Sequence, residues 1–397
     1  MATACIDPVI PSVRPLGYLP VSAWLALMFA PLMATLAAAP TQADAVPLRD
    51  APFDVEEIAR FEEPWASAFL PDGRLLVTER PGKLYLVAQK GKRFGPIAGL
   101  PEVDYGGQGG LGDVIVHPDF ATNQIIYLSY AEMGSEPGLE NLRGAAVARA
   151  SLVLTGSTAQ LEHLEVIWRQ VPKLPGRGHF GHRLAFDNQG FLYITSGERQ
   201  AFTPAQDLKQ NLGKIIRLHD DGSVPEDNPF ADAGEVAAQV WTLGHRNPLG
   251  IAFDASGTLW VHEMGPKDGD ELNRIVRGSN YGYPVVSNGD HYNGNEIPDH
   301  STRPDLAAPA LWWAPAISPA GFAIYRGNKF RDWQGSGFIG GLSSKALIRV
   351  IFDGTQAKEA ERFLMKRRIR EVEEDAAGDL WLLEDGRNGR LLRLTPR

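Results

Sequence analysis

One pattern recurs five times along this chain, and it constrains the fold more than any other feature. An apolar run leads into a turn of the kind Asp-x-x-Gly or Pro-Asp-Gly, and a second run rich in Leu, Trp, Tyr and Val follows. The copies read FLPDGRLLVTER, VHPDFATNQIIYLSY, LAFDNQGFLYITSGER, IAFDASGTLWVHEMG and VEEDAAGDLWLLEDG. Aspartate and glycine favour tight turns, and β-branched and aromatic side chains favour paired strands, so each copy predicts a β-hairpin.

The spacing of the turns predicts how these hairpins assemble. The turns centre on Asp72, Asp119, Asp187, Asp254 and Asp375. The gap between the last two has room for a sixth unit, which would contain FAIYRG and FIGGLSSKALIRV. Short strands that repeat at about fifty to seventy residues favour radially arranged sheets, whereas the unequal gaps argue against a solenoid and the recurrence against a sandwich. We predict an all-β fold, a six-bladed β-propeller of four-stranded antiparallel blades.

The first 45 residues have the character of an export signal. An apolar run from Val21 to Pro40 leads into small residues, so we expect a bacterial signal peptide that is cleaved near Ala43 or Ala45. We therefore predict residues 1–45 as a leader, residues 46–397 as a single propeller, and a periplasmic or secreted location. An uncleaved membrane anchor is the alternative, since the run is nearly long enough to span a bilayer, and only then would the protein have a membrane as a partner.

Charge and cysteine content exclude several classes of function. The formal net charge of -9 argues against nucleic acid as a partner, because a nucleic-acid binder needs a basic face. The single cysteine, Cys5, lies in the predicted leader, so the mature protein would contain no disulfide. The sequence also lacks the Cys/His spacing of a zinc site and the CxxCH motif of haem attachment, so haem in an electron-transfer chain would be on a partner.

Charged loops precede two of the predicted hairpins. In GRGHFGHRLAF, His179 offers an imidazole that titrates near neutrality and so suits a general base. His182 could take that role instead, and a solvated or structural loop histidine is the simpler alternative. In GHRNPLGIAF, Arg246 offers a planar cation for a carboxylate or an oxyanion, and Asn247 offers an amide. A salt-bridged connection between blades is the alternative for that loop.

An acidic cluster follows the fourth hairpin. Glu263, Asp268, Asp270 and Glu271 surround a Gly-Pro turn. Carboxylates and exposed carbonyl groups are the ligands that calcium prefers, although the spacing is not that of an EF-hand. A calcium site and a generic acidic loop both remain open interpretations.

Two arginines alternate along the last predicted repeat. Arg368 and Arg370 point to the same face of a strand because side chains alternate with a period of two. Two guanidinium groups on one face require an anionic partner. That partner is either a ligand or a surface network with Glu371, Glu373 and Glu374.

Taken together, these clusters resemble the soluble pyrroloquinoline-quinone (PQQ)-dependent sugar dehydrogenases, in particular the aldose sugar dehydrogenases and soluble glucose dehydrogenases. The resemblance covers the chain from Pro52 to Leu394. Its motifs fall in the order GGQGGLGDVIVHPDF, HFGHRLAF, GHRNPLGIAF, GPKDGDELN, NYGYP and RIREV. One such motif would carry little information, but six in order are specific. The resemblance implies a six-bladed β-propeller that binds PQQ and calcium.

The resemblance also implies roles for individual residues. It makes His179 the catalytic base and lets Arg246 stabilise a developing oxyanion. It places around the cofactor the residues Gln108, Arg246, Asn247, Tyr292, Ser343, Arg368 and Arg370. It implies that calcium is held by backbone carbonyl groups matching Gly265 and Pro266, with a second calcium position matching Glu271 and Tyr281.

The implied reaction is oxidation of an aldose sugar at its anomeric carbon to a lactone, with electrons passed to an external acceptor, a cytochrome or a quinone. A propeller that binds without cofactor is one alternative, since fold alone does not decide function. A calcium-dependent lactonase is another, although it would not need Arg368 and Arg370.

The chain departs from the family's usual pattern at three positions. His182 stands where glycine is usual, Ser343 stands near the place of a lysine, and Glu198 replaces an aspartate. The missing lysine removes one cofactor contact unless Lys345, two residues further on, replaces it. We therefore expect altered cofactor affinity and sugar specificity with the fold unchanged.

Overall fold

The computed structural model describes residues 42–156 and 158–397, and the architecture there is almost entirely β. Residues 1–41, most of the predicted leader, lie outside the described residues. The first two strands are β1 (Ala45–Pro47) and β2 (Phe53–Phe61). Both pair with strands from the far end of the chain, so the propeller closes on its amino-terminal segment.

Four blades consist of four antiparallel strands taken in chain order. Blade 1 contains β3 (Pro64–Phe69), β4 (Leu75–Glu79), β5 (Lys83–Val87) and β6 (Arg93–Phe94). Blade 2 contains β7 (Leu111–Val116), β8 (Ile125–Met133), β9 (Arg143–Thr155) and β10 (Thr158–Arg169). Blade 3 contains β11 (Gly181–Phe186), β12 (Leu192–Ser196), β13 (Lys214–Leu218) and β14 (Val240–Leu243). Blade 4 contains β15 (Pro248–Phe253), β16 (Leu259–Glu263), β17 (Asp270–Ile275) and β18 (Leu311–Trp313).

The remaining two blades recruit the amino-terminal strands. Blade 5 contains β19 (Pro319–Ile324), β20 (Gly337–Gly341), β21 (Ala346–Asp353) and β22 (Gln356–Leu364), and β1 adds to β22 in parallel. Blade 6 contains β23 (Ile369–Glu374), β24 (Leu380–Glu384) and β25 (Gly389–Pro396), with β2 as its outer strand. The prediction of a six-bladed propeller is confirmed, and the parallel fifth strand of blade 5 is an addition to the predicted four.

Helical structure in the described residues is confined to connections between strands. There are two single-turn α-helices, α1 (Phe120–Asn123) and α2 (Glu235–Ala238). Short 3₁₀ turns occupy Leu48–Asp50, Thr203–Gln206, Ala231–Ala233, His300–Thr302 and Arg331–Trp333. None of the helices in this part of the chain is long and apolar enough to cross a membrane.

Each of the five predicted hairpins joins the first two strands of a blade. The turn aspartates explain why the pattern is so regular. Asp254 accepts hydrogen bonds from the backbone N–H groups of Ser256 and Thr258 and from the indole of Trp260 at 3.1 Å. Asp375 repeats the arrangement, with Trp381 Nε1 at 2.9 Å. One side chain therefore closes the turn and orients the tryptophan that packs between blades.

The sixth hairpin, between β19 and β20, lacks that aspartate and turns through a longer loop. Tyr325 takes over the anchoring role there. Its hydroxyl donates to Gly378 O at 2.8 Å, and Phe330 N–H donates back to it at 3.1 Å. Blades 5 and 6 are thereby joined at this turn, which explains why the sequence pattern misses it.

The first strands of the six blades contact one another in a closed ring. Buried charges meet where these strands face the axis. Arg183 of blade 3 hydrogen-bonds Glu371 of blade 6 and lies 3.3 Å from Asp113 of blade 2, and its guanidinium stacks 4.0 Å from the ring centre of Trp65 in blade 1. Blades 3 and 6 lie opposite each other, so Arg183 ties the ring together across its centre.

Candidate active site

Two adjoining cavities open where the inner strands of the blades begin. The first, here called the arginine cavity, has a volume of about 380 Å³. Its walls are Glu63, Trp65, Arg80, Gly107, Gln108, Phe180, Gly181, His182, Asn247, Leu249, Met264, Ser318, Leu342, Arg368, Arg370, Asp385 and Gly386. Residues from five blades and the loop before blade 2 therefore contribute, as expected for the mouth of a propeller channel.

The second, here called the histidine cavity, has a volume of about 490 Å³. Its walls are Gln108, His179, Glu198, Gln200, Phe202, Arg246, Met264, Gly265, Pro266, Asp270, Tyr283, His291, Tyr292, Asn293, Ala316 and Ser318. Gln108, Met264 and Ser318 line both cavities. The two spaces are thus halves of one cleft, and both are within the size range of small-molecule sites.

His179 is held at the boundary of the cleft by two polar contacts. Its Nδ1 lies 2.5 Å from Glu198 Oε1, and its backbone N–H donates to Gln108 Oε1 at 2.7 Å. Burial lowers the pKa of His179 below its usual value, with the positive charge of Arg246 acting in the same direction and Glu198 opposing both. The imidazole is therefore neutral at neutral pH. With Nδ1–H donated to Glu198, Nε2 carries the lone pair and has no partner in the described residues.

Glu198 fixes both the histidine and the loop that follows it. Its second oxygen accepts the backbone N–H of Phe202 at 2.6 Å. Burial opposes ionisation of this carboxyl, but the hydrogen bonds from His179 and Phe202 outweigh it and hold the pKa of Glu198 below its usual value. The carboxylate consequently stays ionised and sets the tautomer of His179.

Arg246 and Asn247 enter opposite halves of the cleft and keep unsatisfied polar atoms there. Arg246 Nη1 donates to Met264 O at 2.9 Å and to Gly265 O at 2.5 Å, while its Nε has no partner among residues 42–156 and 158–397. Asn247 Oδ1 is likewise buried without a partner in that part of the chain. Buried polar atoms usually find partners, so these two orphaned atoms beside a cavity indicate a place for a polar ligand.

Arg368 and Arg370 lie together in the arginine cavity, as their alternation along the chain predicts. Both donate to Asp385, at 2.6 and 2.9 Å, so their partner is this aspartate and not the three glutamates that follow them. Burial lowers the pKa of Arg370 below its usual value, whereas the two arginines together hold the pKa of Asp385 below its usual range. Half of the Arg368 side chain is exposed to solvent.

The acidic residues that follow the fourth hairpin do not converge on one point. Among the described residues, no group of three or more Asp, Glu, His or Cys side chains is arranged to hold a metal. Asp270 instead accepts the backbone N–H groups of Ser318 and Gly265, at 2.7 and 3.0 Å. Burial raises its pKa to about 7. Gly265 and Pro266 line the histidine cavity together with Asp270 and Glu198, so the cavity offers a cation backbone carbonyl groups and carboxyl oxygens.

The second predicted calcium position lies behind the cleft. Glu271 is buried and pairs with His300 at 3.2 Å and with Asn273 at 3.3 Å. The ring of Tyr281 stacks on His245, with its hydroxyl donated to Arg274 O. Neither Glu271 nor Tyr281 lines either of the two cavities, and the second calcium position stays a prediction.

The remaining predicted residues lie at the rim or outside the cleft. Tyr292 is 76% exposed at the edge of the histidine cavity, with its ring centre 5.9 Å from the Arg246 guanidinium. Ser343 is exposed and donates to Ala316 O at 3.0 Å, and neither it nor Lys345 lines a cavity. The proposed substitution of Lys345 for the missing lysine therefore has no support in this arrangement.

Sequence reasoning missed several wall residues, and the repeat itself contains the signal for two of them. Trp65 and Phe180 stand seven residues before the turn aspartates of their hairpins, as do Asn247 and Arg368. All four line the arginine cavity, because equivalent positions of the repeat reach the same level of the ring. Asp385 offers no such signal, since it follows the second strand of its blade.

Several known proteins are similar to this chain in sequence and in structure. The family model described as Glucose / Sorbosone dehydrogenase matches residues 61–393. Aldose sugar dehydrogenase YliI of Escherichia coli (strain K12) is 39% identical over 347 residues, covering 85% of this chain and 91% of that protein. The structure of soluble aldose sugar dehydrogenase from Escherichia coli in its apo form matches with a TM-score of 0.81 and 37% identity, over 87% of this chain and 100% of that chain. The PQQ-bound form of aldose sugar dehydrogenase from Streptomyces coelicolor matches with a TM-score of 0.71 and 28% identity, over 87% and 100%.

Proposed function

Because this chain belongs to the glucose and sorbosone dehydrogenase family of oxidoreductases, we propose that it oxidises an aldose sugar at the anomeric carbon to the lactone. The cofactors are PQQ and calcium, and an external cytochrome or quinone takes the electrons. One observation carries the proposal. A buried imidazole with a free Nε2 shares its cavity with Arg246, directly beside a second cavity lined by arginines.

His179 is the base of this reaction. Its low pKa keeps it neutral, and donation of Nδ1–H to Glu198 leaves the Nε2 lone pair free to accept the proton of the anomeric hydroxyl. The ionised Glu198 then stabilises the imidazolium that forms. The C1 hydrogen leaves with its electron pair as the carbonyl of the lactone forms. When bound, PQQ would accept that pair while calcium polarises its carbonyl group.

Arg246 orients the reacting oxygen. Its guanidinium lies in the same cavity as His179. A fixed cation that donates to a sugar oxygen stabilises the negative charge that develops as the hydroxyl proton leaves. The base and this donor therefore act on the same hydroxyl group.

The arginine cavity fits a polycarboxylated quinone. Arg80, Arg368 and Arg370 contribute positive charge, opposed by Glu63 and Asp385. Asn247 Oδ1 offers a buried acceptor that lacks a partner. Arginine forks match carboxylates in geometry, and the exposed half of Arg368 is free to turn toward one. Gln108, Asn247, Arg368 and Arg370 would hold the cofactor by these groups.

The carbonyl groups near Gly265 fit a cation. Arg246 Nη1 is hydrogen-bonded to both Met264 O and Gly265 O, so two oxygens already converge on a positive charge. Calcium takes oxygen ligands, so the carbonyl group of Gly265 would suit it. Gly265 and Pro266, which both line the histidine cavity, are the proposed ligands, and the carboxyl of Asp270 accepts the Gly265 N–H behind them.

The proposed location of the protein rests on the predicted leader, residues 1–45, alone. The apolar run ahead of Ala43 supports export to the periplasm or the exterior, where free sugars are accessible. Strand β1 begins at Ala45, and Gln42 already contacts Arg362 of blade 5 at 3.0 Å. Amino-terminal sequencing of the exported protein would place the cleavage point relative to these contacts.

The function is tested by titrating the purified protein with PQQ and calcium and then adding glucose or another aldose with a redox dye. We expect saturable dye reduction that a calcium chelator abolishes and that excess calcium restores, with the lactone identified by NMR. A sugar that is bound without dye reduction would indicate a binding module. Hydrolysis of added lactone without cofactor would indicate a lactonase, and either result would overturn the proposed function.

A further inference from the structure

A second histidine lies inside the arginine cavity, and the base chemistry proposed above does not use it. His182 is almost completely buried yet forms part of the cavity wall, next to Gly181 and Phe180. Its ring stacks on Trp65 with a centre-to-centre distance of 5.0 Å and an interplanar angle of 18°. The ring also lies close to Gly112, where an added Cβ would stand 2.0 Å from Cε1. Trp65 and Gly112 thus both restrict the position of the ring.

The hydrogen bonds of Ser129 decide which nitrogen of this ring carries the proton. Ser129 Oγ accepts the backbone N–H of Asp113 at 2.8 Å and lies 2.8 Å from His182 Nδ1. A hydroxyl that already accepts one bond is best satisfied when it donates the other, so Nδ1 accepts the Ser129 proton. Nε2 then carries the hydrogen of the neutral ring. Burial lowers the pKa of His182 to about 3, so the ring is neutral at neutral pH.

Nε2 has no partner in the described residues, and it is not among the fully enclosed polar atoms that lack one. Of the two cavities, His182 lines only the arginine cavity, which is therefore the space available for a partner of this nitrogen. The backbone conformation of His182 also favours a binding role. His182 has φ of +62°, a conformation that costs about 1 kcal/mol or more for a residue other than glycine. A strained, rigidly placed donor at the wall of a ligand cavity is typical of a binding residue.

We propose that His182 is a cofactor-binding residue whose Nε2–H donates a hydrogen bond to an oxygen atom of the quinone cofactor in the arginine cavity. This inference rests on the proposed function. It places a neutral donor on the Trp65 side of the cavity, whereas Arg368 and Arg370 supply charged donors from blade 6. The neutral donor would suit a carbonyl or carboxylate oxygen without adding charge to the site.

The test is the affinity of the calcium-loaded apoprotein for PQQ, followed by quenching of tryptophan fluorescence. His182→Phe keeps an aromatic ring against Trp65 and removes the N–H, so we expect the Kd to rise about tenfold, the loss typical of one hydrogen bond in a buried site. His182→Gln keeps an N–H donor and should stay within about threefold of the native Kd. His117→Phe is the matched control, because His117 lies outside both cavities, and it should bind as the native protein does.

Two further measurements separate the possible outcomes. Circular dichroism and melting temperature of His182→Phe and of His182→Gly, which relieves the backbone strain, show whether the variants fold. Folded His182→Phe with native affinity would overturn this inference and leave the proposed function standing. No PQQ binding by the native protein would overturn both. Weaker binding in the phenylalanine variant, with recovery in the glutamine variant, is the supporting result.

Discussion

At the scale of single residues, backbone strain is frequent in the cleft. Fourteen of the described residues other than glycine have positive φ angles, and six of them line one of the two cavities: Glu63, His179, His182, Gln200, Phe202 and Ser318. A seventh, Arg199, donates to the carbonyl group of Gly178 beside the base. Such conformations persist only where the surrounding contacts impose them, and they cluster at functional sites. The other seven lie outside both cavities, so positive φ angles agree with the position of the cleft without defining it.

Removal of the His179 imidazole should slow the chemical step while leaving cofactor binding nearly unchanged. His179→Ala takes away the only proton acceptor proposed for the hydroxyl group while leaving Arg368 and Arg370 in place. We expect kcat to fall by about two to four orders of magnitude with the Kd for PQQ little changed. His219→Ala, outside both cavities, is the control. Equal loss of turnover and of cofactor binding would contradict the role given to His179.

The carboxylate behind the base should set the acid limb of the pH profile. Protonation of His179 removes its lone pair, so activity falls as pH drops through its pKa. Glu198 favours the protonated ring and so raises that pKa, against the larger effect of burial. Glu198→Gln removes the charge, so the pKa of His179 should fall and the acid limb of kcat/KM should move to lower pH, with a reduced maximum rate. An acid limb that stays in place or moves to higher pH would exclude this pairing.

At the scale of elements, the five hairpins were predictable and the strands at the amino terminus were not. A hairpin depends on residues adjacent in sequence, such as Asp254 and the Trp260 that it orients. The pairing of β2 with β25 and of β1 with β22 joins opposite ends of the chain, and no local pattern specifies it. Ser343 illustrates the same limit within the site. The family resemblance places Ser343 near the cofactor. In the structure it lies in the turn after β20, and its hydroxyl donates to Ala316 O.

The closing strand should contribute much of the stability. Phe53 of β2 is fully buried and packs edge-on against Phe363 at 5.2 Å and Trp333 at 6.0 Å, both in blade 5. Phe53→Ala removes this contact between blades, and we expect a loss of about 3–5 kcal/mol in the free energy of unfolding, measured by denaturant titration.

Glu56→Ala provides the control for that loss within the same strand. Glu56 is exposed and pairs with Arg393 at the surface, so its removal should cost about 1 kcal/mol or less. Similar losses in the two variants would show that closure of the ring does not depend on the Phe53 contact.

At the scale of the whole molecule, the ring places buried charges at its centre. Arg183 faces Glu371 and Asp113, and Glu373 follows on the same strand as Glu371. Burial raises the pKa of Glu373 well above its usual value, and the charges of Glu371 and Asp113 add to that effect. More carboxyl groups than cations meet here, so the folded ring retains protons that the unfolded chain would release.

This proton uptake predicts a pH-dependent effect of one substitution. A carboxyl with a raised folded pKa is protonated in both states at low pH, so its ionisation costs nothing there, but its burial increasingly opposes folding as pH rises from the unfolded-state pKa toward the folded-state pKa. Glu373→Gln stays neutral throughout. Its melting temperature relative to the native protein should therefore be higher at pH 8 than at pH 5, whereas exposed Glu136→Gln should show no such difference. A gain that is equal at both pH values would contradict the raised pKa.

The sequence by itself determined five of the six hairpins, because aspartate turns and strand alternation are local properties, and the family resemblance added part of the cleft. It also sufficed to place His179 and Arg246 at the mouth of the channel. Only the tertiary structure decided which side chains in the cleft form hydrogen bonds with one another. Asp385 pairs with Arg368 and Arg370, and Ser129 with His182, because the ring brings together segments distant in the chain. Contacts across blades depend on closure of the whole ring, which no single repeat encodes.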